Sequence, residues 1–270
     1  MTKIEWAEET WNIVTGCTKV SDGCRYCYAE RMTKRLQAMG LKKYKYGFNK
    51  VVCHENELNT PLKWKKPKLI FVNSMSDLFH EEVSHNFIAQ VFSTIEKSKQ
   101  HIFLILTKRI DKLITHFIEM DFYRSHGINF EGLPRNVMIG VTVENNRALH
   151  RLKALVYTVY NIFKFNIFVS FEPLLEKMNA SLYSKLQYVS WVIVGGETGG
   201  KCARPMKKDW VINIKNYCES LKIPFFFKQW GRKGECSDGS FKGGNLIDGK
   251  VYQEFPDFFK FHFNQNKLFK

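Results

Sequence analysis

Cys17, Cys24 and Cys27 fall within one stretch, Cys17-Thr18-Lys19-Val20-Ser21-Asp22-Gly23-Cys24-Arg25-Tyr26-Cys27. A C-x2-C pair places two sulfurs on one metal, and Gly16 and Gly23 let the backbone wrap closely around it. Thiolates are soft ligands that suit zinc, copper(I) or iron–sulfur clusters. The chain has 7 cysteines, an odd number with three crowded together. That pattern points to a metal or redox site and not to a disulfide framework. Three thiolates ligate three irons of a four-iron cluster and leave the fourth iron open. A structural zinc needs a fourth protein ligand, for which His54 or His80 is a candidate. No second C-x2-C is present, which weighs against a zinc ribbon. The plainest alternative is three buried thiols. Cys53, Cys218 and Cys236 are too dispersed to make a second cluster.

Short apolar runs alternate with helix-like segments around this loop. Strands are expected at Ile13-Val14, Lys68–Val72, His101–Leu106, Val137–Val141, Ile167–Val169, Trp191–Val194 and Pro224–Phe227. Helices are expected over Arg25–Met39, Val83–Ser98, after Asp111 as cap, after Asn145, and over Trp210–Leu221. Unbroken apolar strands separated by helices imply a parallel sheet buried on both faces. Polar residues gather where each strand stops, and in a βα barrel those stops form one mouth. The expected fold is an α/β, partial or full (β/α) TIM-like barrel over residues 1–231. A C-terminal extension over 232–270 should pack on it, with the aromatic tail Phe255–Phe263 lying across the barrel exterior. A doubly wound open sheet would need a glycine-rich turn after the first strand, where the cysteines stand instead.

The 270 residues are long enough for a substantial core. No apolar run of about 18 residues predicts a membrane span. The segment Met1–Glu9 has no apolar core of a secretory signal, so a cytoplasmic location is expected. The formal charge of +15 attracts polyanions, nucleic acid first among them. Two runs mix cations with aromatics, Lys42-Lys43-Tyr44-Lys45-Tyr46 and Lys63-Trp64-Lys65-Lys66-Pro67-Lys68, as single-strand binders often do. A merely solvated basic surface is the competing explanation.

Cys24-Arg25-Tyr26-Cys27 resembles the end of the radical S-adenosylmethionine (SAM) cluster motif, where an aromatic residue precedes the last cysteine. The usual first gap there is three residues, and here it is six. Asn73-Ser74-Met75-Ser76-Asp77, Leu106-Thr107-Lys108-Arg109 and Gly140-Val141-Thr142-Val143-Glu144 are similar, in order and spacing, to strand-end segments of the spore photoproduct lyase-like branch. Trp11-Asn12, Glu172-Pro173-Leu174-Leu175, Gly195-Gly196-Glu197 and Lys228-Gln229-Trp230-Gly231 resemble an uncharacterised phage-associated family with the same long-gap cysteine loop.

The resemblance implies a radical SAM fold and a 4Fe-4S cluster on Cys17, Cys24 and Cys27, with SAM on its open iron. It also implies an electron donor such as flavodoxin or ferredoxin, and a nucleic-acid or nucleotide substrate in repair or modification. A peptide or small metabolite is the alternative substrate, and a non-catalytic zinc-dependent nucleic-acid binder the alternative class. On this reading Ser74, Ser76 and Asp77 meet the ammonium or ribose of SAM, Lys108 its carboxylate, Thr142 and Glu144 its ribose or ammonium, and Tyr26 its adenine. Helix capping is the bland role for Ser76. Glu172, Glu197, Arg204, Lys228, Gln229 and Trp230 face the substrate. Arg204 and Lys228 are candidates for a phosphate or carboxylate, unless Glu172 closes an ion pair with one of them. Cys202 is a candidate hydrogen-atom donor.

Overall fold

The structure, a computed structural model, describes residues 4–125 and 134–262. Phe263, the last residue of the expected aromatic tail, lies outside them. Seven parallel strands make the main sheet: β1 (Glu9–Trp11), β4 (Leu69–Val72), β5 (Ile102–Thr107), β6 (Val137–Thr142), β7 (Asn166–Phe171), β8 (Trp191–Gly195) and β9 (Phe225–Gln229), side by side in that order. Between them run α2 (His85–Lys97), α3 (Ile110–Ser125), α4 (Leu149–Ala154), α5 (Ala180–Leu186) and α6 (Lys208–Ser220). The first gap, from β1 to β4, holds β2 (Val14–Thr15), α1 (Tyr28–Ala38) and β3 (Val52–Cys53). After β9 come a small hairpin, β10 (Leu246–Ile247) and β11 (Lys250–Val251), and α7 (Asp257–His262).

Strands that succeed one another in the same direction put every right-handed crossover helix on one face. The two cores record this. Ile70, Val72, Phe103, Ile105, Ile139, Val169 and Val194 share one cluster with Phe87, Val91, Phe92, Leu113, Phe117, Leu182 and Ile214 of the helices. The alternate residues Leu69, Leu104, Met138, Phe168, Trp191 and Phe226 form a second cluster that holds no residue of α2–α6. A sheet covered on one side only must curl around the other, and the result is a half-barrel. Among the described residues no pairing joins β1 to β9.

The tail does not lie on the exterior. Phe255 and Phe259 meet Trp191, each at 5.5 Å between ring centroids, on the concave face, and Trp6 joins them at 6.1 Å. The strand residues they cover stand at the amino ends of the strands, so the tail fills one end of the half-barrel. A Phe-rich segment is apolar enough for either surface. The helices have already covered the convex face, and the concave one still needs a lid.

The first strand also differs from expectation. Glu9–Trp11 enters the main sheet, while Val14-Thr15 pairs antiparallel with β3. The amide of Val14 donates to the side chain of Asn73 at 3.0 Å, which takes the chain off the sheet before the cysteines. Asp111 lies within the first turn of α3 and does not cap it. Among the described residues no helix is long and apolar enough to cross a membrane.

Candidate functional site

The cysteine loop emerges from β2 at the carboxyl ends of the strands. Gly16 has φ +82, and a Cβ there would fall 2.0 Å from the carbonyl oxygen of Lys50. Only glycine passes this point, and it delivers Cys17, whose amide donates to Phe48 at 2.7 Å. Asp22–Cys24 forms one 3-10 turn, and Cys27 precedes α1 directly. Cys17 and Cys27 pack against Ala29, Tyr44, Phe48 and Met75.

Three later strand ends fasten this loop. From β6, Glu144 accepts from the Gly23 amide at 3.4 Å and is ion-paired with Arg151 at 2.9 Å. Asn145 donates to Asp22 at 2.8 Å. Burial opposes ionisation of Glu144, but Lys108, the Ser21 hydroxyl and Arg151 together hold its carboxyl below the usual range. From β5, Arg109 donates to the carbonyl and hydroxyl of Thr18, at 3.2 and 2.8 Å, and to Cys17 Sγ at 3.8 Å. From β8, Arg204 donates to the carbonyl of Asp22 at 2.9 Å, and Arg31 of α1 reaches back to the carbonyl of Thr198. A Cβ on Gly199 would fall 2.7 Å from Tyr26 Cβ, so the tyrosine lies against bare backbone, with the guanidinium groups of Arg25 and Arg204 5.4 and 5.5 Å from its ring centre.

Cys24 and Cys27 lie within electrostatic reach of Cys17. Burial first, then Asp77, push the Cys17 thiol up to about 12, while Arg109 pulls it down. Among the described residues no three His, Cys, Asp or Glu side chains are gathered tightly enough to hold an ion as they stand. The donor chemistry fits a thiolate-ligated centre: three soft donors on one loop, one of them costly to ionise without a cation, and Arg109 and Lys19 alongside. His54 and His80 are engaged elsewhere. Their Nε2 atoms lie 2.9 Å from the hydroxyls of Thr15 and Thr18, and His80 Nδ1 accepts from the Glu82 amide at 3.1 Å.

Several expected contact residues are consumed by the protein itself. Asp77 accepts from Thr107 Oγ1 at 2.7 and 2.9 Å and from the amides of Phe79 and Lys108, so its lone pairs are spent tying the β4 end to the β5 end. Ser76 donates to the carbonyl of Val14 at 2.7 Å, neither capping a helix nor free, and Ser74 donates to Asn12 at 3.1 Å. Trp230 is core: its indole donates to Leu246 at 2.8 Å and its ring packs on Phe227 at 4.8 Å. Glu197 binds Arg204 through both oxygens, and that bond keeps the guanidinium charged. Lys228 is ion-paired with Glu172. Each cation thus has a carboxylate partner within the protein. Cys202 is exposed in the 3-10 turn Gly200–Cys202.

Other groups remain available. Lys108 makes no ion pair among the described residues, and its charge bears on Glu144. Thr142 and its register partner Ser170 stand on the concave face. Ser170 is 0 % exposed, and its hydroxyl has no partner among the described residues, nor has Gln229 Oε1. Ser170 and Arg109 escaped sequence reasoning. The alternation Phe168-Val169-Ser170 was the signal for the first, and a cation at a strand end beside Lys108 for the second.

The fold and loop define an α/β half-barrel whose carboxyl mouth is roofed by a cysteine-bearing loop. A family model described as "Protein of unknown function (DUF5131)" matches residues 1–256, and the chain belongs to that family. No curated protein matches the chain, and no solved structure does.

Proposed function

We propose that the protein is a radical SAM enzyme of the spore photoproduct lyase-like kind, with Cys17, Cys24 and Cys27 holding a 4Fe-4S cluster. One observation carries the reading: a three-thiol loop is fastened across the mouth of a curled parallel sheet by residues from three strand ends, Arg109, Glu144 and Arg204. Active sites of βα barrels form at that end.

When bound, such a cluster supplies one-electron reductive cleavage of SAM to methionine and a 5′-deoxyadenosyl radical that abstracts hydrogen from the substrate. The protein's own residues bind and orient. Lys108, which makes no ion pair among the described residues, is the cation for the SAM carboxylate. Tyr26 presents a face already flanked by cations. The tail plug keeps water out of the far end of the half-barrel. Glu144 and Arg204 hold the loop in place.

A nucleic-acid or nucleotide substrate is supported by the charge of +15 and by its placement. Lys45 lies 4.6 Å over the exposed ring of Tyr46, on a segment bonded to the cysteine loop, and Arg147 projects beside Asp22. Lys63–Lys68 leads into the opposite end of β4, where Lys68 is paired with Glu9. Its basic residues do not serve the mouth.

Anaerobic purification followed by iron, sulfide and zinc assay and reduction with SAM tests the chemistry. Iron-loaded protein releasing 5′-deoxyadenosine is expected. A colourless protein with stoichiometric zinc, or an iron-loaded one that leaves SAM intact, refutes it. Salt-dependent binding of single-stranded DNA or RNA, weakened by Lys45→Ala, tests the substrate class. No binding at low salt would sink it.

A further inference from the structure

We infer that Arg109 is a positioning residue that holds Cys17 as a ligand and raises the reduction potential of the centre on the three cysteines. The inference rests on the cluster reading. Arg109 stands at the end of β5, 6 % exposed, between the strand and the cysteine loop. Its Nη2 donates twice to Thr18, and its Nη1 points at Cys17 Sγ at 3.8 Å. Its Nε faces the largely exposed carboxylate of Glu81 at 2.9 and 3.1 Å. The nearest buried carboxylate, Asp77, is 3.8 Å from Nη1, but its oxygens already accept from Thr107 and from two amides. The fixed cation thus bears on one ligand sulfur from a partly dry position, where charge acts strongly.

Reduction adds one electron, taken from a low-potential flavoprotein or ferredoxin, and makes the centre more negative by one charge with no proton required. Arg109 keeps its proton throughout. A cation and an N–H donor beside a ligand sulfur favour the more negative state, so they make the centre easier to reduce.

EPR-monitored redox titration of the reconstituted full chain tests this. Arg109→Gln should titrate at a more negative midpoint than the wild type at equal iron content, with Arg109→Lys recovering part of the shift. Glu81→Gln removes the exposed counter-charge and should move the midpoint the other way, a result that does not depend on how Arg109→Gln folds. Equal midpoints in wild type and Glu81→Gln, or a negative shift in Glu81→Gln, would overturn the inference. So would equal midpoints in wild type and Arg109→Gln. A wild type that takes up no iron refutes the cluster reading instead, which keeps the two failures apart.

Discussion

At the scale of single residues, the mouth contains charges whose partners decide their use. Glu144 is 0 % exposed and serves Arg151, Gly23 and Ser21 together. Glu144→Gln leaves Arg151 buried without its counter-charge, and should cost about 3–5 kcal/mol in chemical denaturation. The carboxyl's folded pKa lies below its unfolded value of about 4.3, so its contribution is complete above that pH. It is lost as the pH falls through the folded value. Glu172 and its partner Lys228 keep 22 % and 20 % of their side-chain surface exposed, so this pair is less fully buried than that of Glu144. Glu172→Gln should cost about 1 kcal/mol or less.

At the scale of elements, α2 and α3 enclose a second titrating group. His116 packs among Phe79, Phe92 and Phe117, its Nδ1 3.3 Å from His85 Nδ1, with Lys112 also near. Burial first, then those two neighbours, push its pKa down to about 3. The unfolded chain takes up this proton below about pH 6.5 and the folded one does not, so stability is lost as the pH falls from there toward 3. Denaturation midpoints of His116→Phe measured from pH 7 to pH 5 should fall less than those of the wild type. The cysteine loop supplies a backbone counterpart. Gly16→Ala imposes a left-handed strain of about 1–2 kcal/mol besides its clash with Lys50, and should lower both thermal stability and iron uptake.

Elements were the legible part of the sequence. The apolar runs from Leu69 to Phe227 appear as strands within a residue or two, because an unbroken apolar run buried on both faces of a curled parallel sheet has few other readings. Val14 misled because its pairing depends on the Asn73 side chain 59 positions away. The cysteine loop stood out in the sequence through residue type and spacing alone. The roles of Asp77, Ser76, Trp230, Arg204 and Lys228 did not follow from type. A polar group at a strand end is equally suited to a ligand or to a neighbouring loop, and only packing selects between them.

At the scale of the whole molecule, the half-barrel has two unlike ends. The amino end is sealed by Trp6, Phe255 and Phe259, the last fully buried against Trp191. Phe259→Ala should cost about 3–5 kcal/mol and change the fluorescence of the Trp191 environment, while leaving iron uptake at the opposite end intact. Loss of iron together with the plug would mean that the two ends are not independent.

The fastening of the cysteine loop also sets an order of events during synthesis. Its first residues are made early, yet Gly23 waits for a partner 121 positions later, Arg31 for one 167 later and Asp22 for one 182 later. A nascent chain has neither β8 nor Arg204 when its three thiols leave the ribosome. Those thiols stay unroofed and oxidisable until most of the chain is made, and a chain that stops before β8 lacks the contacts that hold the loop across the mouth.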